Sequence, residues 1–216
     1  MIVTTYDDKL SMYITQSFTG EDVALQQIRR QIEARGLPAI TVRPEEGKFL
    51  QVLVAASQPK LALEIGTLGG YSGTWIARGL PSGGRLITLE LEPERATIAG
   101  EHFRLAGVDD RVEIRIGDAH GLLPALSHEG PFDFVFIDAE KEGYPAYLEW
   151  TVANLRSGGV LAAHNAFRHG AIIEPGEQDS AVVATREFNQ RVAQDPHLLA
   201  TIFPAGDGMV IAVRVS

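Results

Sequence analysis

The chain has 216 residues, 45% of them hydrophobic, and a formal net charge of −9. That length suits one domain with a sizeable core, and the acidic balance argues against a nucleic-acid partner, which needs a basic surface. Cysteine is absent, which rules out disulfides and thiolate metal sites. No stretch approaches the ~18–20 apolar residues of a membrane span, so the expectation is a cytoplasmic protein with no membrane partner.

Residues 1–58 read as a helical cover. "SMYITQSF" and "DVALQQIRRQIEARG" space their apolar residues as helices do, Gly36 and Pro38 close the second, and "PEEGKFLQVLVAAS" is a third helix that stops before Pro59. From residue 59 the pattern changes to short apolar runs alternating with helical stretches. The runs "LALEIG", "RLITLEL", "RVEIRIG", "FDFVFIDA" and "GVLAAHN" alternate with "GYSGTWIARGL", "EPERATIAGEHFRLAG", "AHGLLPALS" and "YPAYLEWTVANL". Continuous apolar strands between helices predict a parallel sheet covered on both faces. "AIIEPGEQDSAVVATREFNQRV" then reads as a loop opening a helix that can serve as a lid. The last two runs, "HLLATIFP" and "GMVIAVRV", have only "AGD" between them, too short for a crossover, so they predict an antiparallel hairpin. Trp75 and Trp150 sit at helical spacing and read as core or interface residues. The fold expected is α/β, Rossmann-like and doubly wound, in a single domain over 1–216, with the cofactor-binding core at 59–216.

Ligands of open parallel sheets sit at the carboxyl ends of the strands. Those ends carry Glu64-Ile65-Gly66, Glu90, Asp118, Asp138 and His164-Asn165. The glycine-rich loop "EIGTLGGYSG" lets backbone approach a ligand, but it lacks the G-x-G-x-x-G spacing. Glu64 beside it repels a pyrophosphate and suits a cation, which speaks against a dinucleotide-dependent dehydrogenase. Glu90 lies 20 residues after Gly70, where an acid commonly accepts both ribose hydroxyls. A ligand with a ribose, no phosphate and a positive charge fits this rim, and S-adenosylmethionine is such a ligand.

"ALEIGTLGGYSG", "ITLELEPERA", "AGVDDRVEIRIGDA", "FDFVFIDAEKEGYPAY" and "LRSGGVLAAHN" resemble the successive motifs of class I methyltransferases of the caffeoyl-coenzyme A and catechol O-methyltransferase type. The similarity runs from about residue 40 to the terminal "GDGMVIAV". It implies a seven-stranded, three-layer αβα fold with the last strand antiparallel, a small hydroxylated aromatic acceptor, and a homodimer. It implies a cofactor site of Val42, Glu64, Gly66, Thr67, Gly70, Tyr71, Ser72, Glu90, Asp118, Ala119, Asp138, Glu140 and Tyr144. Asp138 and Lys141 are implied as catalytic residues, with Lys141 near the acceptor. His164 joins the expected catalytic group by its place at the next strand end, and Arg168 and His169, where the family tends to have tryptophan and asparagine, are expected to line or cover the acceptor entrance.

The family ends its metal-binding strand in Asp-Asn, whereas this chain has His164-Asn165. An imidazole in place of a carboxylate disfavours Mg²⁺, a hard ion, and is more compatible with Mn²⁺, Fe²⁺, Co²⁺, Ni²⁺ or Zn²⁺. Three readings follow. Asp138, His164 and Asn165 hold a softer divalent ion, beside which the depressed pKa of Lys141 makes it the base. Alternatively no metal binds, and His164 pairs with Asp138 as an acid-base dyad acting near its unperturbed pKa of ~6.5 on another small-molecule nucleophile. In the third, His164 is merely a satisfied strand-end residue of a non-catalytic cofactor-binding protein.

Overall fold

The computed structural model describes residues 6–216, so the first five residues of the expected helical cover lie outside it. A seven-stranded sheet runs in the order β3-β2-β1-β4-β5-β7-β6, built from β1 (Leu61–Ile65), β2 (Arg85–Glu90), β3 (Val112–Ile116), β4 (Phe132–Ile137), β5 (Leu155–His164), β6 (Leu198–Phe203) and β7 (Met209–Arg214). Neighbours from β3 through β5 pair in parallel, and β7 runs antiparallel to both β5 and β6. The expected hairpin is therefore present, and so is the expected seven-stranded, mostly parallel α/β sheet with its last strand antiparallel. Strand β5 begins at Leu155, four residues before the run read from sequence, because "LRSG" pairs through an irregular register with Phe132 although two of its residues face solvent.

Helices α1 (Asp8–Ile14), α2 (Val23–Ala34), α3 (Pro44–Ser57), α4 (Tyr71–Gly79), α5 (Pro93–Leu105), α6 (Ala119–Leu126), α7 (Tyr144–Asn154) and α8 (Ser180–Gln194) complete the chain. The segment read as one helix over "SMYITQSF" is instead α1 followed by a π-helical turn, Thr15–Thr19, which Gly20 ends in a left-handed conformation. Two apolar clusters fill the opposite faces of the sheet. One packs α6, α7 and α8 through Leu126, Tyr147 and Phe188, and the other packs α2, α3, α4 and α5 through Ile28, Leu50, Trp75 and Phe103. With both faces covered, β1 is buried at every position, which is why its sequence is apolar except at Glu64. Trp75 lies in the core, while Trp150 packs partly exposed on Phe132 and donates to the Ser127 hydroxyl. No helix among the described residues is long and apolar enough to cross a membrane.

Two features position the site. The strand order reverses between β1 and β4, so loops leaving these strands part and open a crevice above their carboxyl ends. Gly66, at φ +99°, lets the two ends approach, because a Cβ there would overlap the Asp138 carbonyl. The second feature is the start of α3. Buried Glu45 accepts hydrogen bonds from Tyr6 (3.0 Å), Thr15 (3.1 Å) and Ser11, fastening α1 and its π-turn to α3. Its neighbour Glu46 points the other way, into the crevice.

Candidate active site

A cavity of about 1290 Å³ opens at the carboxyl ends of the strands, larger than a single small-ligand pocket needs and roomy enough for two ligands. Of the residues read from sequence as cofactor contacts, Val42, Gly66, Thr67, Tyr71, Ser72, Glu90, Asp118, Ala119, Asp138 and Glu140 line it. Glu64, Gly70 and Tyr144 do not. The Glu64 carboxylate is fully buried under the loop, accepting from Ser72 (2.6 Å) and Thr88 (2.6 Å), so Ser72 separates it from the cavity. Burial pushes its pKa up to about 7 despite these hydrogen bonds. Gly70 supplies a left-handed N-cap to α4 and faces Phe103. Tyr144 is buried behind Lys141.

Three acids on the rim are already oriented. Glu90 accepts from the amides of Leu68 (2.7 Å) and Glu92 (3.0 Å), one on each carboxylate oxygen, which fixes its orientation and leaves lone pairs free for a ligand. Glu140 accepts from the Tyr147 hydroxyl, and His120, stacked on the Tyr147 ring, approaches it to 3.3 Å. Asp118 caps α6 through the His120 amide (3.0 Å).

Deeper lies a row of charged side chains. Lys141 Nζ donates to Asp138 (2.9 Å) and to the Tyr144 hydroxyl (2.6 Å). The other Asp138 oxygen meets His164 Nδ1 at 3.2 Å, and His164 Nε2 meets Glu46 at 3.1 Å. Glu46 in turn accepts from the Arg43 amide (2.7 Å) and packs against Gly206, where a side chain would collide with its carboxylate. An ionised carboxylate only accepts, so an imidazole held between two of them donates from both nitrogens and is cationic. Burial pushes the His164 pKa down, but Asp138 and Glu46 outweigh it and raise it to about 10. Burial likewise opposes charge on Lys141 and Asp138, yet their mutual attraction, aided by Tyr144 and His164, leaves the lysine above and the carboxyl well below their ordinary ranges. Lys141 is thus pushed up, which keeps it protonated beside Asp138. Nor is His164 a neutral base near pH 7.

The donor set expected for a divalent ion does not assemble. Both Asp138 oxygens and both His164 nitrogens are engaged, and Asn165, at φ +60°, turns its amide to donate to Asp207 (3.1 Å). Among the described residues no three His, Asp or Glu side chains converge as a ligand set. Glu46, His164 and Asp138 lie in a row, and the row already contains two cations, Lys141 and His164. These residues do not fit a metal ion.

The segment after β5 closes the acceptor side. Arg168 and His169 line the cavity, both with left-handed backbone, φ +49° and +54°, and the His169 ring is largely exposed. Asp207, in the β6–β7 turn, holds this segment by accepting from the His169 amide (2.6 Å) and, through its carbonyl, from the Phe167 amide (2.9 Å). Sequence reasoning missed Glu46, His120 and Asp207. Glu46 reads there as an ordinary first-turn acid of α3, and nothing local signals a partner 118 positions away.

Comparison with known proteins supplies the chemistry. A family model described as O-methyltransferase matches residues 15–215. The chain is 39% identical over 213 residues to a catechol O-methyltransferase of Niastella koreensis, covering 95% of this chain and 96% of that protein. It is 42% identical over 189 residues to a catechol O-methyltransferase of Mycobacterium tuberculosis, covering 88% and 85%. In structure it resembles the O-methyltransferase from Bacillus cereus in complex with SAH, with TM-score 0.90, 39% identity and coverage of 95% and 97%. It also resembles the O-methyltransferase TomG from Streptomyces achromogenes in complex with SAM, with TM-score 0.90, 34% identity and 96% of each chain covered.

Proposed function

The chain belongs to the O-methyltransferase family, and on that premise we propose that it methylates a hydroxyl of a small aromatic acceptor without a metal ion. S-adenosylmethionine-dependent O-methyl transfer is the activity of the family, and the names of two relatives point to catechols. The observation that carries the metal-free part is the row Lys141–Asp138–His164–Glu46, in which protonated side chains stand where a divalent ion would need empty donors.

The cofactor fits the residues present. Glu90, oriented by two backbone amides, is suited to the ribose hydroxyls; Asp118, Ala119 and Glu140 border the adenine end; Gly66, Thr67, Tyr71 and Ser72 border the methionine end. S-adenosylmethionine supplies, when bound, a methyl group on a sulfonium whose departure leaves a neutral thioether. The protein's own task is then alignment and charge. A phenolic hydroxyl has a pKa near ~10, and two fixed cations beside it favour its oxyanion. Lys141 and His164 are those cations. Neither is a free base at neutral pH, so the acceptor gives its proton to water in the open cavity as it binds. Asp138 and Glu46 hold both cations in place and keep them charged.

The apolar surface of the N-terminal helices, with Met12, Tyr13, Phe18 and Val23 each more than half exposed, supports a homodimer through this cover, which light scattering coupled to size exclusion tests. The decisive assay for the function is formation of S-adenosylhomocysteine and a methyl ether from catechol in the presence of EDTA, followed by mass spectrometry. Turnover that disappears in chelator and returns with Mg²⁺ or Mn²⁺ would overturn the metal-free reading. No methyl ether with any catechol would overturn the acceptor.

A further inference from the structure

We infer that the acceptor is a hydroxylated aromatic acid and that Arg168 binds its carboxylate, an inference that rests on the aromatic O-methylation proposed above. Among the cations that line the acceptor side of the cavity, Lys141, His164 and Arg43 already have carboxylate partners. Lys141 and His164 share Asp138 and Glu46, and Arg43 pairs with Asp8 at 3.1 Å. Arg168 forms no ion pair among the described residues, and its Nε is buried without a hydrogen-bond partner. Its charge is felt by Tyr144, which carries Lys141, and by Glu142, without pairing to either. It is therefore an unspent guanidinium beside the row where the acceptor hydroxyl is to bind.

The backbone that presents it is costly and well secured. Left-handed geometry at two successive non-glycine residues, Arg168 and His169, is uncommon and persists only where surroundings enforce it. Asp207 grips the segment at the His169 and Phe167 amides, and Asn189 donates to the Ala166 carbonyl at 2.9 Å. Further on, the Arg186 guanidinium donates to the carbonyls of Ile172 (3.1 Å) and Ala171 (3.2 Å). A rigid frame with a free planar fork matches a carboxylate, which it can bind through two parallel hydrogen bonds. Asp138, Glu46 and Asp207 line the same side, so a phosphate dianion meets more repulsion there than a singly charged acid.

The test compares 3,4-dihydroxybenzoate with its methyl ester, by kcat/KM and by calorimetric binding to the protein loaded with S-adenosylhomocysteine. The acid should be preferred roughly 10–100-fold, the value of a charge-assisted contact. In Arg168→Gln that ratio should collapse toward one, and Arg168→Lys should keep part of it. Equal binding of acid and ester by the native protein, no binding of either, or an acid preference that survives in Arg168→Gln would overturn the inference. Ester and catechol methylated with no acid preference leaves the proposed function standing and removes this inference. An Arg168-dependent acid preference in binding without methylation of either compound does the reverse.

Discussion

Replacing His164 by aspartate reverses the charge of the site and separates the metal-free mechanism from a metal-assisted one. In the native row two carboxylates, Asp138 and Glu46, face two cations, Lys141 and His164, and the charges balance. The variant has three carboxylates and one cation, a net charge of −2. The Asp138–His164 contact at 3.2 Å is worth about 5 kcal/mol of Coulomb attraction at an effective dielectric constant of about 20, much of it spent on desolvating both groups. Removing one partner of such a buried pair costs roughly 3–5 kcal/mol. In a chain of this size that lowers the melting temperature by roughly 6–20 °C. A divalent ion lodged among three carboxylates restores the balance, so the variant should regain most of that loss with millimolar Mg²⁺. The assay is thermal unfolding of native protein and variant, each in EDTA and in Mg²⁺, with calorimetric titration of the metal; none of it depends on activity. A native protein that binds Mg²⁺ or Mn²⁺ tightly, or a variant whose unfolding ignores metal, refutes the reasoning.

Glu90→Gln keeps the shape of the side chain but removes the charge that its two amide donors and the ribose hydroxyls share; S-adenosylhomocysteine should bind at least ~10-fold more weakly, and an unchanged calorimetric Kd removes Glu90 from the cofactor site. Glu64 titrates at about 7 rather than 4.5 when folded. Its raised pKa gives stability that is complete below 4.5 and lost as pH rises through 7, roughly 3 kcal/mol in all. Glu64→Gln should therefore gain on the native protein between pH 5 and 8, and melting curves that stay parallel across that range contradict the buried-carboxyl account. His164 is charged below about 10, so activity should fall as pH rises through that value, while the rising limb follows ionisation of the acceptor. Glu46→Gln takes away one of the two carboxylates sustaining the imidazolium and should move the falling limb down by roughly one to two units; a limb that does not move removes Glu46 from the mechanism.

Much of this protein is legible in its sequence. The alternation of apolar runs with helical stretches specifies a covered parallel sheet, because a strand buried on both faces is apolar at nearly every position, and the three-residue link before "GMVIAV" permits only an antiparallel return. Which residues end the strands follows from the same periodicity, so Glu90, Asp118, Asp138 and His164 could be named as cavity residues from the sequence. What could not be read is which atoms meet. The sequence shows Asp138 and His164 as neighbouring strand ends, but not that Glu46, on α3, reaches the far nitrogen of the ring and makes it a cation. It shows Asn165 beside His164, but not that a left-handed turn hands its amide to Asp207. Periodicity encodes the face on which a residue lies, because that depends on local backbone geometry. The charge a buried group carries depends on partners brought from remote segments, and only the packed chain decides which partners those are.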